Sequence, residues 1–168
     1  MDLDLRIRGD ARLRSVAAQI RATGDKGLGR EMARGLRQAT EPIKKGIAAS
    51  AAATMPAAGG YEALLSKSLR WRVNVRSGAQ IANVVLTTYA DGTKEKRDLR
   101  RLEAGELRHP VWGRKRRLKS GKAISNPWAI TKIKSGFHKR GTDYAADAAE
   151  KEMAAVLDDL AARLAGGS

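Results

Sequence analysis

Cysteine is missing from this chain of 168 residues. The protein therefore has no disulfide framework, no thiol nucleophile and no thiolate ligand for a metal ion. Aromatic residues are also scarce, at 4% of the chain, although 42% of the residues are hydrophobic. Because alanine supplies much of this hydrophobic content, we expect close, alanine-rich contacts between helices.

Long apolar runs are missing as well. No stretch approaches the ~18 consecutive apolar residues that a membrane-spanning helix requires. The first ten residues, MDLDLRIRGD, alternate charged and aliphatic side chains, whereas a signal peptide needs an unbroken apolar segment. These patterns predict a soluble protein that is made in the cytoplasm.

Acidic residues are absent from residues 107–142, a segment that contains 11 lysines and arginines. Residues 1–106 carry a net charge of +8, residues 143–168 carry −4, and the whole chain carries +15. A surface shaped only by solubility would mix the two signs, because mixed charges reduce self-repulsion. We therefore expect a polyanion near the acid-free segment.

Hydrophobic periodicity predicts a strand and then helices in the first third of the chain. Residues 2–8 alternate apolar and charged side chains, which indicates a strand with one buried face. Apolar residues three or four positions apart predict a helix from Asp10 to about Ala22 and a longer helical stretch that ends near Thr54. This stretch is expected to kink or restart at Pro42, because proline lacks the amide hydrogen that would bond to the carbonyl four positions earlier.

The middle of the chain changes to a period of two. From residue 68 to residue 76, apolar and basic side chains alternate, which predicts a strand with one apolar and one cationic face. Residues 81–88 are rich in β-branched side chains and follow a Ser-Gly turn signal. Together the two segments predict a β-hairpin.

An amphipathic helix is predicted at about residues 143–165, with Thr142 or Asp143 as its N-cap. The order of elements predicts one α+β domain over residues 1–168. Its small antiparallel sheet is packed by the long N-terminal helical segment and by the C-terminal helix. A basic loop insertion is expected at about residues 107–127.

A stiff turn is expected inside the acid-free segment, in the stretch ELRHPVWGRKRRLKSGK at residues 106–122. Pro110 fixes its own backbone and pushes His109 into an extended conformation, and Trp112 would anchor the turn on the domain. Gly113 then allows a backbone angle that other residues resist.

The cations around this turn are candidate contacts for nucleic acid or for a protein partner. They lie among glycine and serine with little apolar periodicity, which predicts a mobile loop. Lysine and arginine bind phosphates without regard to sequence, and no recognition motif accompanies them. A solvated loop without a ligand is the alternative. The candidate contact residues are Arg108, Arg114, Lys115, Arg116, Arg117, Lys119 and Lys122.

Catalytic and metal-binding chemistry has little support in the sequence. Both histidines, His109 and His138, lie in the acid-free segment, where no carboxylate can orient a ring or complete a set of metal ligands. Metal-dependent nucleases need clustered acids, which this segment lacks. We predict no enzymatic activity, no catalytic residue, no metal and no cofactor.

Four sequence features follow one another in the second half of the chain. They are LEAGELRHPVWG at residues 102–113, Trp128, SGF at residues 135–137 and the capped C-terminal helix. In this order they resemble the minor tail-component or neck proteins of long-tailed bacteriophages, over about residues 25–165. Trp112 departs from the phenylalanine that is usual in the family, and His138 stands where a second phenylalanine is common. The matching residues are Glu103, Gly105, His109, Pro110, Val111, Trp112, Gly113, Trp128, Gly136 and Phe137.

The resemblance implies a structural role without catalysis, in joining the phage head to its tail or completing the tail. It implies a homo-oligomeric ring of ~6 or ~12 copies around the channel for genome DNA, with the basic loop near the DNA or a neighbouring ring. The implied partners are connector, portal-side, and tail terminator or tail-tube proteins. The implied location is the virion, and the host cytoplasm during assembly, without membrane contact.

Two other interpretations stay open for subunit contacts and for function. The acidic C-terminal helix could pair with an arginine-rich face of a neighbouring copy, because their charges are complementary. Alternatively, the chain could be a stand-alone basic protein that binds nucleic acid without sequence specificity. Such a protein would be a monomer or dimer with salt-sensitive DNA affinity, whereas the ring interpretation requires oligomers or co-assembly.

Overall fold

The computed structural model describes residues 3–8, 11–56, 60–77, 82–91, 99–110, 115–117, 123–125 and 128–166. Within these ranges the chain has the α+β architecture that its hydrophobic pattern predicts. The helices are α1 (Ala11–Thr23), α2 (Lys26–Gln38), α3 (Glu41–Thr54), α4 (Tyr61–Ser68), α5 (Leu99–Glu103) and α6 (Phe137–Ala165). The strands are β1 (Leu3–Arg8), β2 (Leu69–Ser77), β3 (Ala82–Ala90), β4 (Glu106–Pro110), β5 (Lys115–Arg117), β6 (Ala123–Ser125) and β7 (Trp128–Lys132).

Strands β1, β3 and β2 form an antiparallel sheet in that order, so that β3 is the central strand. Successive side chains of a strand alternate between the two faces of the sheet. Val84, Leu86 and Thr88 of β3 are buried on the face that packs against the helices. In the register, Leu5 of β1 and Val73 of β2 flank Leu86 on this face. The other face carries the polar and basic residues of all three strands.

Helix α6 connects two hydrophobic clusters. Its first half contributes Phe137 and Ala145 to a cluster with α3, α4 and the sheet. Its second half contributes Leu157 and Leu160 to a cluster with α1, α2 and the distal end of the hairpin. The helix therefore joins the two parts of the core, as does strand β3 with Leu86 in one cluster and Val84 in the other.

Helices α3 and α6 cross with their backbones in close contact, at a glycine on each helix. A Cβ atom on Gly141 would lie 2.5 Å from the Cα atom of Ile47, and a Cβ atom on Gly46 would overlap the carbonyl oxygen of Gly141. Backbone atoms cannot turn aside as a flexible side chain can. Both positions therefore require glycine for this crossing.

The predicted restart at Pro42 is confirmed. Helix α2 ends at Gln38, and Pro42 lies in the first turn of α3, where a missing amide hydrogen costs no helical bond. The Thr40 hydroxyl between the helices donates to the carbonyl oxygen of Arg37 over 2.7 Å. The predicted strand at residues 2–8 and the hairpin β2–β3 are confirmed as well, whereas the short helix α4 is not evident in the sequence pattern.

The predicted start of the C-terminal helix is wrong. Helix α6 begins at Phe137, with Gly136 as its N-cap, and not after Thr142 or Asp143. Gly136 has a left-handed backbone with φ +76° and provides no side chain for capping. The carboxylate that caps α6 belongs to Glu103, 35 positions before His138, so a local sequence signal cannot reveal it.

No helix in the described part of the chain combines the length and the hydropathy that crossing a membrane requires.

Candidate nucleic-acid interface

Strands β4 and β7 form a two-stranded antiparallel ribbon that carries part of the candidate contact segment. Leu107 of β4 is buried, so the face of the ribbon that it shares with His109 lies against the domain. On the opposite face, Arg108 is exposed and pairs in register with Ile130, whose side chain is 55% exposed. This face therefore carries Arg108 beside an exposed apolar side chain, next to the ion pair of Lys132 with Glu106.

Polar contacts hold the ribbon together and attach it to helix α4. His109 Nε2 lies 2.8 Å from the Thr131 hydroxyl oxygen, and the His109 ring meets the Tyr61 ring edge-on with a centroid distance of 5.9 Å. Lys132 Nζ donates to Glu106 Oε1 over 2.7 Å, and this hydrogen bond lowers the pKa of the Glu106 carboxyl group. These contacts give His109 a structural task, with a hydroxyl group as its neighbour.

The structure describes only part of the predicted basic loop. Lys115–Arg117 form strand β5, which pairs with strand β6, so this part of the segment is a short hairpin ladder and not an irregular loop. Pro110 pairs in register with Trp128 at the end of the ribbon. The predicted contact residues Arg114, Lys119 and Lys122 and the turn residues Trp112 and Gly113 lie outside the described residues.

The start of helix α6 is a junction of residues that are distant in sequence. The Glu103 carboxylate accepts hydrogen bonds from the amides of His138 and Lys139, over 2.8 Å and 3.3 Å. It thereby satisfies amides that a helix N-terminus leaves without partners, at the positive end of the helix dipole. The amide of Gly136 donates to the carbonyl oxygen of Glu103 over 2.7 Å.

Gly105 allows the chain after α5 to pass close to the backbone of the segment that leads into α6. Its φ angle is +87°, and a Cβ atom would lie 2.8 Å from the carbonyl oxygen of Ile133. The amide of Ile133 donates to the carbonyl oxygen of Gly105 over 2.9 Å. Glu103, Gly105, Gly136 and the fully buried Phe137 thus meet at one place and act as a structural unit.

His138 lies under the same junction, on the inner face of the sheet. Its Nε2 atom is 3.2 Å from the hydroxyl oxygen of the buried Thr88. Burial lowers the pKa of His138 from its usual value of 6.5, while the charges of Glu103 and Asp4 oppose part of this effect. The neutral ring is therefore the form that the folded protein favours.

The open face of the three-stranded sheet, which points away from the helices, carries a group of arginines. They are not among the contact residues that the sequence predicts. The alternation of β2 reveals its cationic side in the sequence, but only the pairing of β1 with β3 adds the arginine of β1 to the same face. No helix of the described chain is interposed there, since the helices pack on the apolar side. The exposed arginines of this face are Arg6, Arg70, Arg72 and Arg76.

Contacts within the face order two of these arginines. The guanidinium carbon of Arg72 lies 5.9 Å from the centre of the Tyr89 ring. Arg70 donates to the carbonyl oxygens of Lys67 and Leu69 over 2.7 Å and 2.9 Å, and its Nε atom is 4.0 Å from Asp91 Oδ2.

Three of the six acidic residues of α6, Asp143, Asp158 and Asp159, form ion pairs within the described residues. Asp158 pairs with Arg12, and Lys139 Nζ donates to Asp143 Oδ2 over 2.7 Å. Arg163 donates to both carboxylate oxygens of Glu31, over 2.6 Å and 3.0 Å, and this pairing lowers the pKa of Glu31. The pairs of Asp158 with Arg12 and of Arg163 with Glu31 connect α6 to α1 and α2.

Guanidinium and ammonium groups that face solvent can bind phosphate oxygens through charge and hydrogen bonding. In the described ranges, no three histidine, aspartate or glutamate side chains come close enough together to hold a metal ion. The exposed arginines and lysines of these ranges are groups that can bind an anion. Comparison of the chain with protein-family models, with curated proteins and with solved structures gives no significant match.

Proposed function

We propose that this protein is a structural component of the head–tail junction of a long-tailed bacteriophage. Its copies form a ring of ~6 or ~12 subunits around the channel through which genome DNA passes. Its partners in this proposal are connector and portal-side proteins and tail terminator or tail-tube proteins. The protein has no catalytic step to perform in this role.

The observation that carries the proposal is the junction at the start of helix α6. Glu103 and Gly105 belong to the motif that resembles the neck proteins, and so do Gly136 and Phe137, more than 30 residues later. In the fold these four residues meet, through the carboxylate cap of α6 and the close passage of the chain beneath it. The resemblance therefore involves residues that share one structural task, which supports a common fold.

The charge distribution supports the DNA channel. The acid-free segment bears 11 basic residues per copy, and a ring multiplies that charge by the number of its subunits. Each copy needs to attract phosphate only weakly for the lumen to be strongly cationic. Contacts to phosphates carry no sequence information, and they allow a duplex to move through the channel.

Native mass spectrometry of the purified protein tests the ring. The protein is measured alone and mixed with the portal and connector proteins that are encoded beside it. We expect closed oligomers in at least one of these samples, and ring-shaped particles of the same stoichiometry in electron micrographs. A chain that stays monomeric or dimeric alone and with every neighbouring virion protein contradicts the proposal.

A second candidate function is that of a stand-alone basic protein that binds nucleic acid. The open arginine-bearing sheet face favours it, because one copy already presents four exposed arginines on a rigid support. This function predicts a monomer or dimer that binds DNA with strong salt dependence and without sequence preference. The same mass spectra separate the two candidates, since only the neck component assembles with virion proteins.

A further inference from the structure

We propose that the open face of the three-stranded sheet binds the phosphate backbone of double-stranded DNA. We call this surface the arginine face and define it by Arg6, Arg70, Arg72 and Arg76. It is separate from the acid-free segment at residues 107–142. The inference needs only a folded single copy, so it does not depend on the formation of a ring.

The arginine face is a two-dimensional array fixed by strand pairing. Arg6 of β1 pairs with Val85 of β3, and Arg72 and Arg76 of β2 pair with the β3 residues Thr87 and Asn83. Neighbouring strands are about 4.8 Å apart, and side chains on one face recur about every 6.8 Å along a strand. The arginines of β2 therefore extend over about 20 Å, a length that covers several phosphates of a duplex.

Most of these arginines lack an acidic partner within the described residues. Arg70 has Asp91 at 4.0 Å, whereas Arg6, Arg72 and Arg76 form no ion pair there. By contrast, arginines on the helical side of the molecule do pair with carboxylates, as Arg12 and Arg163 show. The exposed Asp4 of β1 pairs in register with Thr87 and therefore lies on the same face. The four guanidinium groups outnumber this single carboxylate, so the face keeps a net positive charge that can neutralise an external polyanion.

Other side chains of the face favour backbone contacts over base contacts. Tyr89 holds the guanidinium group of Arg72, and Asn74 and Thr87 provide amide and hydroxyl groups of the kind that bind phosphate oxygens. Tyr89 is the aromatic side chain on this face, and it is engaged by the arginine. Single-stranded nucleic acids are usually held by several stacking aromatics, so a duplex backbone fits this surface better.

A duplex also fits the arginine face better than the acidic helix of a second copy. Only three of the six acidic residues of α6, Asp147, Glu150 and Glu152, form no ion pair within the described residues, since Asp143, Asp158 and Asp159 lie within ion-pair distance of basic residues of their own chain. Two copies that each carry +15 repel each other over the rest of their surfaces. DNA gains affinity from every phosphate that the protein neutralises, because condensed counterions are released.

Fluorescence anisotropy with a labelled duplex of mixed sequence tests the proposal. Binding is measured over a series of KCl concentrations for the wild type and for R6Q/R72Q/R76Q. Arg70 is left unchanged because it bonds to backbone carbonyls. We expect the variant to bind at least about tenfold more weakly at low salt, with a salt slope smaller by about 2 to 3, since each lost phosphate contact contributes about 0.9.

The matched control is R30Q/R34Q/R37Q, which removes three exposed arginines from one side of helix α2. Both variants lose the same net charge, so a general electrostatic effect would weaken them equally. We expect the control to keep most of the wild-type affinity and salt slope. Equal losses in the two variants would overturn the assignment of DNA binding to the arginine face.

Two further measurements exclude misfolding and self-association as causes of weaker binding. Thermal melting shows whether each variant folds. If R6Q/R72Q/R76Q does not fold, the single variants R72Q and R76Q replace it, and each is expected to lower the salt slope by about 0.9. Sedimentation velocity follows self-association of the same proteins. Unchanged DNA binding with reduced self-association would overturn the proposal and assign the face to contacts between copies.

Discussion

The two ends of helix α6 are attached to the rest of the protein by different kinds of contact. At its start, Phe137 is fully buried and Gly141 lies against the backbone of α3. At its end, Leu157 and Leu160 pack into the cluster with α1 and α2, and exposed ion pairs such as that between Arg163 and Glu31 are added at the surface. Close backbone packing and burial leave little freedom for substitution, whereas solvated ion pairs are easily replaced. The comparison teaches that both ends of α6 are buried in the core, that the backbone contact makes its start intolerant of substitution, and that the ion pairs at its end add little.

The largest expected effect is at the buried aromatic ring. Phe137→Ala removes a side chain with no exposed surface and leaves a cavity between α3, α5 and the sheet. We expect a loss of about 3–5 kcal/mol in the free energy of unfolding, measured by urea denaturation. Phe137→Leu serves as the control and should lose clearly less. A change of well under 1 kcal/mol for the alanine variant would contradict the burial of this ring.

The helix crossing gives the next largest effect. Gly141→Ala places a Cβ atom against the Cα atom of Ile47, and the two backbones must move apart. We expect a loss of about 3 kcal/mol in unfolding free energy. Gly29→Ala in α2 is the matched control, because its nearest atom would be 3.8 Å away. The control should be neutral or more stable by about 0.5–1 kcal/mol, since alanine favours a helix.

The carboxylate cap of α6 gives a moderate effect. Glu103→Ala leaves the amides of His138 and Lys139 without their acceptor at the first turn of the helix. We expect a loss of about 1–2 kcal/mol in unfolding free energy, with Glu103→Gln losing less because its amide oxygen still accepts a hydrogen bond. Hydrogen exchange at the first amides of α6 reports the effect locally. Unchanged exchange there would contradict the capping role of Glu103.

The pH dependence of the unfolding free energy tests the burial of His138 at the start of α6. Its pKa is lowered in the folded state by burial, so below pH 6.5 the unfolded chain binds more protons than the folded protein. The contribution of this residue to stability is therefore present near pH 7 and is lost as the pH falls from 6.5 towards the lower folded pKa. His138→Gln removes this titration, and its unfolding free energy should fall less between pH 7 and pH 5 than that of the wild type. Parallel curves for the two proteins would contradict a buried neutral ring.

The smallest effect is expected at the end of α6. Arg163→Gln breaks the exposed bidentate pair with Glu31, and water solvates both groups once they separate. We expect the melting temperature to change little, and less still at high salt, because screening already weakens the pair. A loss as large as that of Glu103→Ala would show that the exposed ion pair at the end of the helix stabilises the fold as much as the carboxylate cap at its start.

Part of the candidate site can be read from local sequence. The alternation along β2 predicts one cationic side, and the acid-free segment is evident from composition. The arginine face as a whole cannot be read in this way, because Arg6 joins it only when β1 pairs with β3, about 80 residues later. The short ladder of β5 and β6 is likewise hidden by the glycine, serine and basic residues around it, which resemble an irregular loop.

The sequence by itself determined the elements whose signals are local. These are the alternating strands at residues 3–8 and 69–77, the helix restart at Pro42 and the amphipathic character of the C-terminal helix. Only the tertiary structure decided where α6 begins and which residues its backbone approaches. The physical reason is that Glu103 caps His138 from 35 positions away and Gly46 meets Gly141 across two helices. Contacts between such distant residues depend on how the elements pack, and a pattern within one segment does not contain that information.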